Sequence, residues 1–278
     1  MRIIKSVAEM RKVTNSLTWK SKVGFVPTMG ALHKGHISLA EAARKECKIV
    51  VMSIYVNPSQ FAPNEDLDSY PRTLRSDLEL AENAGVDYIF LPTDAEMYPE
   101  GYKTWVNVEE ITDILCGATR SGHFRGVTTI VTKLMNLIKP DFMYMGEKDF
   151  QQVAVLKKMI EDLNISTVIK ACPTVRESDG LAMSSRNTYL SPEERKQALC
   201  LNLSMKQAAA LYQRGETSLT VIRNSMTEII LANQGRIDYI EFVDRDTLAV
   251  KESADDKTRI VLAVFIGKTR LIDNGDLV

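Results

Sequence analysis

The stretch Pro27-Thr28-Met29-Gly30-Ala31-Leu32-His33-Lys34-Gly35-His36 decides how this chain is read. It follows a short apolar run, Lys22 to Val26, and opens into Ile37 to Arg44, whose spacing predicts a helix. A strand-loop-helix turn of this kind presents backbone N–H groups and the positive end of a helix dipole at the carboxyl edge of a sheet, where an anion is stabilised. The glycines allow close backbone approach. His33 and His36 stand three residues apart, so from a first helical turn their imidazoles would point the same way and reach one anion together. On spacing alone the pair reads equally as surface polarity or as an N-terminal cap.

Outward from this turn, apolar runs alternate with amphipathic stretches from Lys22 to Pro173, the pattern of a parallel sheet covered by helices on both faces. Strands are predicted at Lys22 to Val26, Ile49 to Val56, Tyr88 to Leu91, Phe142 to Met145 and Ser166 to Ala171. Val127, Ile130, Val131, Leu134, Met135 and Ile138 make one apolar helical stripe, with Thr128, Thr129, Thr132 and Lys133 on other faces. Val153, Leu156, Ile160 and Leu163 make another. Ser191-Pro192-Glu193-Glu194 reads as an N-cap, a first-turn proline and a capping box. Beyond it come two long helices, Glu193 to Gln213 and Ser218 to Ala232, and strands at Ile237 to Val243 and Ile260 to Phe265, with Lys251 to Lys257 as a solvated turn. The fold class is therefore α/β: a Rossmann-like parallel sheet over residues 1–174, followed by a smaller C-terminal α+β domain over 175–278.

The 35 Lys plus Arg nearly cancel the 36 Asp plus Glu in 278 residues. A net charge of −1 provides no field for steering a polyanion, so no nucleic-acid partner is expected, and a phosphate must be held by local donors. No run approaches the roughly 18 apolar residues of a membrane helix, and no membrane partner is expected. Cys47, Cys116, Cys172 and Cys200 are too dispersed for a thiolate metal site, which reads as reduced thiols in a cytoplasmic protein.

Two further segments could hold phosphate. Gly146-Glu147-Lys148-Asp149 again leads from a strand into a helix; Lys148 would supply a point charge, and Gln152, one turn on, would face the same pocket. A solvated turn capped by Asp149 fits the same residues. Met183-Ser184-Ser185-Arg186, at the domain junction, offers two hydroxyls, backbone donors and a guanidinium, although Ser-Ser-Arg is also ordinary turn chemistry.

The HxGH pattern after a first strand resembles the signature of the nucleotidyltransferase and class I aminoacyl-tRNA synthetase superfamily. Together with Asn57-Pro58-Ser59-Gln60-Phe61, Tyr70-Pro71-Arg72, Gly122 to Val127, Gly146 to Gln152 and Asp179 to Asn187, the chain resembles the pantothenate synthetase family over about residues 22 to 190. The resemblance implies condensation of pantoate with β-alanine through a pantoyl adenylate, with ATP as co-substrate, Mg2+ on its phosphates, and a homodimer. It places ATP among Met29, Gly30, Ala31, Leu32, His33, Lys34, Gly35, His36, Gly146, Glu147, Lys148, Asp149, Val175, Met183, Ser184, Ser185 and Arg186. It gives pantoate to Gln60 and Gln152, β-alanine also to Gln60, and proton donation to His36. His123 would help form the site wall, where a loop-packing histidine is an equal reading. Asp77 could touch a metal from outside, although its helical context favours a surface acid.

These residue types fit adenylate chemistry. A carboxylate of pKa near 4 is already ionised at neutral pH, so activation calls for charge stabilisation rather than a base. His33, His36, Lys148, Ser184, Ser185 and Arg186 could supply it as catalytic donors. Neutral glutamines suit a hydroxy acid, whereas adenylyl transfer to a phosphate acceptor would call for more Arg or Lys, and a nucleotide sensor would not need these cations together. An acyl adenylate hydrolyses readily, so the loop Arg176 to Asn187 and the C-terminal domain are expected to close over ATP.

Overall fold

The computed structural model describes residues 1–16, 21–63 and 65–278. The chain forms two compact units, Met1–Glu147 with Gln152–Pro173, and Lys148–Gln151 with Thr174–Val278. The second thus takes a four-residue segment from inside the first, which no composition change in the sequence marks.

Among the described residues, the first unit holds six parallel strands: β1 (Arg2–Ile4), β2 (Val23–Thr28), β3 (Ile49–Ile54), β4 (Tyr88–Phe90), β5 (Phe142–Gly146) and β6 (Val168–Cys172). Their order is β1-β4-β3-β2-β5-β6. The chain runs outward from β2 in both directions, through β3 and β4 on one side and β5 and β6 on the other. β2 is thus the switch point, and the crevice beyond its carboxyl end is where such sheets bind ligands. The helices are α1 (Val7–Ser16), α2 (Lys34–Glu46), α3 (Leu74–Asn83), the short α4 (Asp94–Met97) and α5 (Cys116–Thr119), α6 (His123–Ile138) and α7 (Phe150–Asp162).

Val26, Val50, Met52, Ile89 and Tyr144 pack with Leu39, Ala40 and Ala43 of α2 and Ala81 of α3. Their alternate neighbours Phe25, Val51, Phe90 and Met143 are buried as well, as a sheet covered on both faces requires. β1 was not expected from the sequence; it adds three residues in parallel beside β4. In α6 the expected apolar stripe is buried, but so are Thr128 and Thr129. Thr128 donates to the Val106 and Phe124 carbonyls, and Thr129 Oγ1 accepts from Val106 N, so their hydroxyls are satisfied inside the protein. Leu163, placed on the α7 stripe from its spacing, lies past the helix end and is 50 % exposed.

The second unit is an antiparallel sheet, β7 (Arg236–Asp244), β8 (Thr258–Ile266) and β9 (Thr269–Asp276), with α8 (Pro192–Gln197), α9 (Cys200–Gln213) and α10 (Leu219–Ala232). Ile240, Phe242, Ile260, Leu262, Val264 and Ile266 pack with Leu201, Met205, Ala208, Ile222, Met226 and Ile230. Ser191 caps α8 in the expected box with Glu194. The single long helix expected to follow is divided: Leu199 N bonds to Lys196 O, three residues back, and regular α-helix resumes at Cys200. β9 was also unexpected, because Asp273-Asn274-Gly275-Asp276 has the composition of a turn.

Candidate active site

The turn after β2 is held by Asp77. Gly30 (φ 82) and Ala31 (φ 48) both lie in the left-handed region, which a residue bearing a Cβ occupies only when its surroundings impose it. The imposition comes from α3. Asp77 is 1 % exposed, and its carboxylate accepts from Ala31 N at 3.0 Å, Leu32 N at 2.8 Å and Thr73 Oγ1 at 3.0 Å. A Cβ on Gly30 would stand 3.1 Å from Asp77 Oδ2. Asp77 is therefore not a surface acid: its oxygens are engaged by the turn. Helical position could not reveal this, because the Ala31 and Leu32 amides lie 46 and 45 residues earlier in sequence.

His33 and His36 both point into their own helix cap through one ring nitrogen. His33 is the N-cap of α2 and its Nδ1 accepts from Gly35 N at 3.1 Å, while His36, three residues on, accepts from His33 N through Nδ1 at 3.3 Å. The cap reading holds, and the two rings lie side by side. With Nδ1 an acceptor in each, a neutral ring carries its proton on Nε2, so both histidines are Nε2–H donors. The ring centroids are 4.1 Å apart.

Gln60 ends a single 3-10 turn, Pro58–Gln60, and is 8 % exposed. Asn57 Nδ2 donates to Gln60 Oε1 at 3.0 Å and to the Gly126 carbonyl at 3.2 Å, and Gln60 Nε2 lies 2.9 Å from Met29 Sδ. Tyr98 donates to Asn57 Oδ1 at 2.8 Å, and its burial pushes the phenol up to about 12, so it stays a donor. Gly126 lets α6 meet this turn backbone to backbone, since a Cβ there would fall 2.3 Å from the Ser59 carbonyl oxygen. Asn57 and Tyr98 had no role from the sequence; the Asn-Pro pair after β3 was the available signal.

His123 is buried behind the same turn. Its Nδ1 lies 2.8 Å from the Gln60 carbonyl, which can only accept, and its Nε2 lies 3.0 Å from Arg120, which can only donate. Those two neighbours fix the Nδ1–H tautomer. Arg120 in turn is paired with both oxygens of Glu65 at 2.7 Å. His123 thus braces the backbone of Gln60.

Lys148 falls in a 3-10 turn, Glu147–Asp149, that runs directly into α7, whose first turn carries Gln152. The two residues also belong to different units. Lys148 Nζ stands 3.9 Å from Asp149 Oδ1.

In the second unit, 175–183 is a hairpin rather than an open loop. Met183 N donates to Val175 O at 3.0 Å, Glu177 N to Leu181 O at 2.8 Å, and Arg176 bridges Ala182. The hairpin is tied down along its length: Arg176 forks onto Asp273 at 2.7 and 2.9 Å, Arg195 meets Asp179 at 2.7 Å, and Asn202 donates to the Gly180 carbonyl at 2.8 Å. Ser184 then caps a 3-10 turn, Ser185–Tyr189, by accepting from Arg186 N at 3.3 Å. Ser185 is 9 % exposed and Arg186 half-buried.

A family model described as Pantoate-beta-alanine ligase matches residues 2–276. The chain is 53 % identical over 276 residues to the pantothenate synthetase of Acetivibrio thermocellus, covering 99 % of this chain and 98 % of that protein. Its fold matches the pantothenate synthetase of Thermus thermophilus with a TM-score of 0.95 at 43 % identity, over 100 % of this chain and 99 % of that one. It also matches a pantoate-beta-alanine ligase from Francisella tularensis, described as complexed with beta-gamma ATP and beta-alanine, with a TM-score of 0.85 at 37 % identity over 100 % and 98 % of the two chains. Matched along nearly its whole length in sequence and in fold, the chain belongs to the pantoate-beta-alanine ligase family.

Proposed function

We propose that His33, His36, Lys148, Ser184, Ser185 and Arg186 are the donors that stabilise charge on the nucleotide in this family's reaction. As a member of the family, the chain joins pantoate to β-alanine at the expense of ATP, through a pantoyl adenylate. The pantoate carboxylate, ionised at neutral pH, attacks the α-phosphorus; the bond to the β-phosphate oxygen breaks and diphosphate leaves. The β-alanine amine then attacks the acyl carbon and AMP departs. Negative charge concentrates on phosphoryl oxygens in the first step, where fixed N–H donors act without reorganising.

The observation that carries this reading is the reciprocal cap of His33 and His36, which commits both rings to present Nε2–H at the first turn of α2, beside the switch point of the sheet. Residues 29–36 and 146–149, together with Val175 and Met183, complete the proposed nucleotide contacts. Gln60 and Gln152 take pantoate, and Gln60 also β-alanine. Asn57 donates to Gln60 Oε1, so its NH2 is the half of the amide turned toward Met29.

Mg2+ is proposed to arrive bound to the phosphates of ATP. Among the described residues no group of three or more His, Cys, Asp or Glu could hold a metal ion, and the Asp77 carboxylate is already engaged. No step here runs through a protein-held metal. The second unit is proposed as a lid that carries Met183 to Arg186 as one piece with its own sheet, because the hairpin is anchored to Asp273, Arg195 and Asn202. A homodimer is proposed from the family resemblance and is checked by sizing. A cytoplasmic location is proposed on the unbridged thiols of Cys47, Cys172 and Cys200. Among the described residues no helix is long and apolar enough to cross a membrane.

Isotope exchange between ATP and diphosphate tests the catalytic reading. Exchange should require pantoate and proceed without β-alanine. Exchange that needs no carboxylate, or that waits for β-alanine, would overturn it.

A further inference from the structure

We infer that Asn274 is a positioning residue for Lys148, setting the place of the lysine backbone from strand β9; this rests on the proposed role of Lys148 at the phosphates. Asn274 is 5 % exposed and its Nδ2 donates to the Lys148 carbonyl at 2.8 Å. Its amide oxygen accepts from Arg259 Nε at 2.9 Å and from Arg259 Nη2 at 2.7 Å. A guanidinium has no acceptor, so the oxygen must face Arg259 and the NH2 must face Lys148; the amide has one orientation. Arg259 is itself fixed. It is 8 % exposed, donates to Asp276 at 3.1 Å, and lies 4.3 Å over the ring of Phe150, two residues after Lys148.

The neighbouring residue does the matching task on the other segment. Asp273, 2 % exposed, receives the fork of Arg176 at the base of the hairpin that leads into Ser184 to Arg186. Side chains alternate along a strand, so β9 reaches Arg176 from one face and Lys148 from the other. Two consecutive residues of one strand thereby anchor both proposed phosphate-facing segments within the second unit, Asn274 through the Lys148 carbonyl and Asp273 through the Arg176 side chain. This accounts for an acidic and amide-rich sequence persisting as a buried strand.

The test uses Asn274→Asp, which keeps an acceptor for Arg259 but loses the N–H donor and sets a carboxylate oxygen against the Lys148 carbonyl. ATP and adenosine are titrated calorimetrically into the whole protein. Asn274→Asp should weaken ATP about tenfold and leave adenosine within about twofold, and in a Lys148→Ala background it should add no more than about twofold. Arg259→Lys, which keeps a cation but loses the fork, covers the case in which Asn274→Asp does not fold, and should weaken ATP by about threefold with adenosine unchanged. Equal losses for ATP and adenosine, or a full loss repeated in the Lys148→Ala background, would overturn the inference while leaving Lys148 at the phosphates. A Lys148→Ala protein that binds ATP normally would remove the reading of Lys148, and the inference with it.

Discussion

Asp77 accepts the backbone N–H of Ala31 at 3.0 Å from a buried carboxylate, and so holds a non-glycine residue at φ 48 in the turn that carries His33 and His36. Removing that carboxylate takes this acceptor from the N–H groups of half-buried Ala31 and buried Leu32 and from the Thr73 hydroxyl. Asp77→Ala should lower stability by about 2–4 kcal/mol in urea unfolding, and Asp77→Asn by less, because one oxygen remains to accept. Both should depress pantoate-dependent exchange in protein that is still folded. Unaltered exchange in folded Asp77→Ala would separate the turn from the chemistry.

The histidines can be tested apart from their caps. Asparagine is a good N-cap and glutamine a good third residue of a capping box, so His33→Asn and His36→Gln keep the backbone bonds and lose Nε2–H. Each should stay within about 1 kcal/mol of the parent in unfolding, while exchange falls about 100-fold or more. Equal exchange rates would reduce the pair to a helix cap.

Much of the frame could be read directly. The runs at Val23–Thr28, Ile49–Ile54 and Phe142–Gly146 are apolar on both faces, as central parallel strands must be, and the Ser191 box names its own helix start. What escaped depends on partners remote in sequence. Asp273 and Asn274 look like turn residues until Arg176 and Arg259 neutralise and bond them. Thr128 and Thr129 look solvated until the Val106 backbone takes their hydroxyls, and Asp77 looks like an exposed helix acid until the turn at Ala31 is set against it. The candidate loops were visible as motifs, but whether each is a loose loop or an anchored hairpin is a tertiary property.

The brace behind Gln60 should respond to acid. Burial pushes the Glu65 carboxyl up, but the Arg120 hydrogen bonds and charge prevail and hold it below its ordinary value of 4.5. A folded-state pKa below the unfolded one contributes stability above about pH 4.5 that is lost as pH falls through the lower folded value. Glu65→Gln should therefore be less stable than the parent by a constant amount above about pH 5, and the gap should close below about pH 4.5. A gap that widens in acid would contradict the pairing.

The thiols should be slow to react. Burial raises Cys200 to about 11 and also raises Cys47 and Cys172, so the thiolate fraction at neutral pH is small in each. Of these three, Cys172, the half-buried one, should react first with an aromatic disulfide reagent, and Cys200 only on unfolding. Rapid labelling of Cys200 in folded protein would contradict its environment.

The central claim is that the pantoate carboxylate attacks the α-phosphorus before the amine enters. Pantoate labelled with oxygen-18 in its carboxylate, turned over with ATP and β-alanine, tests this by mass spectrometry of the products. The account predicts one labelled oxygen in AMP and none in diphosphate. Label in an inorganic phosphate, or unlabelled AMP, would contradict it.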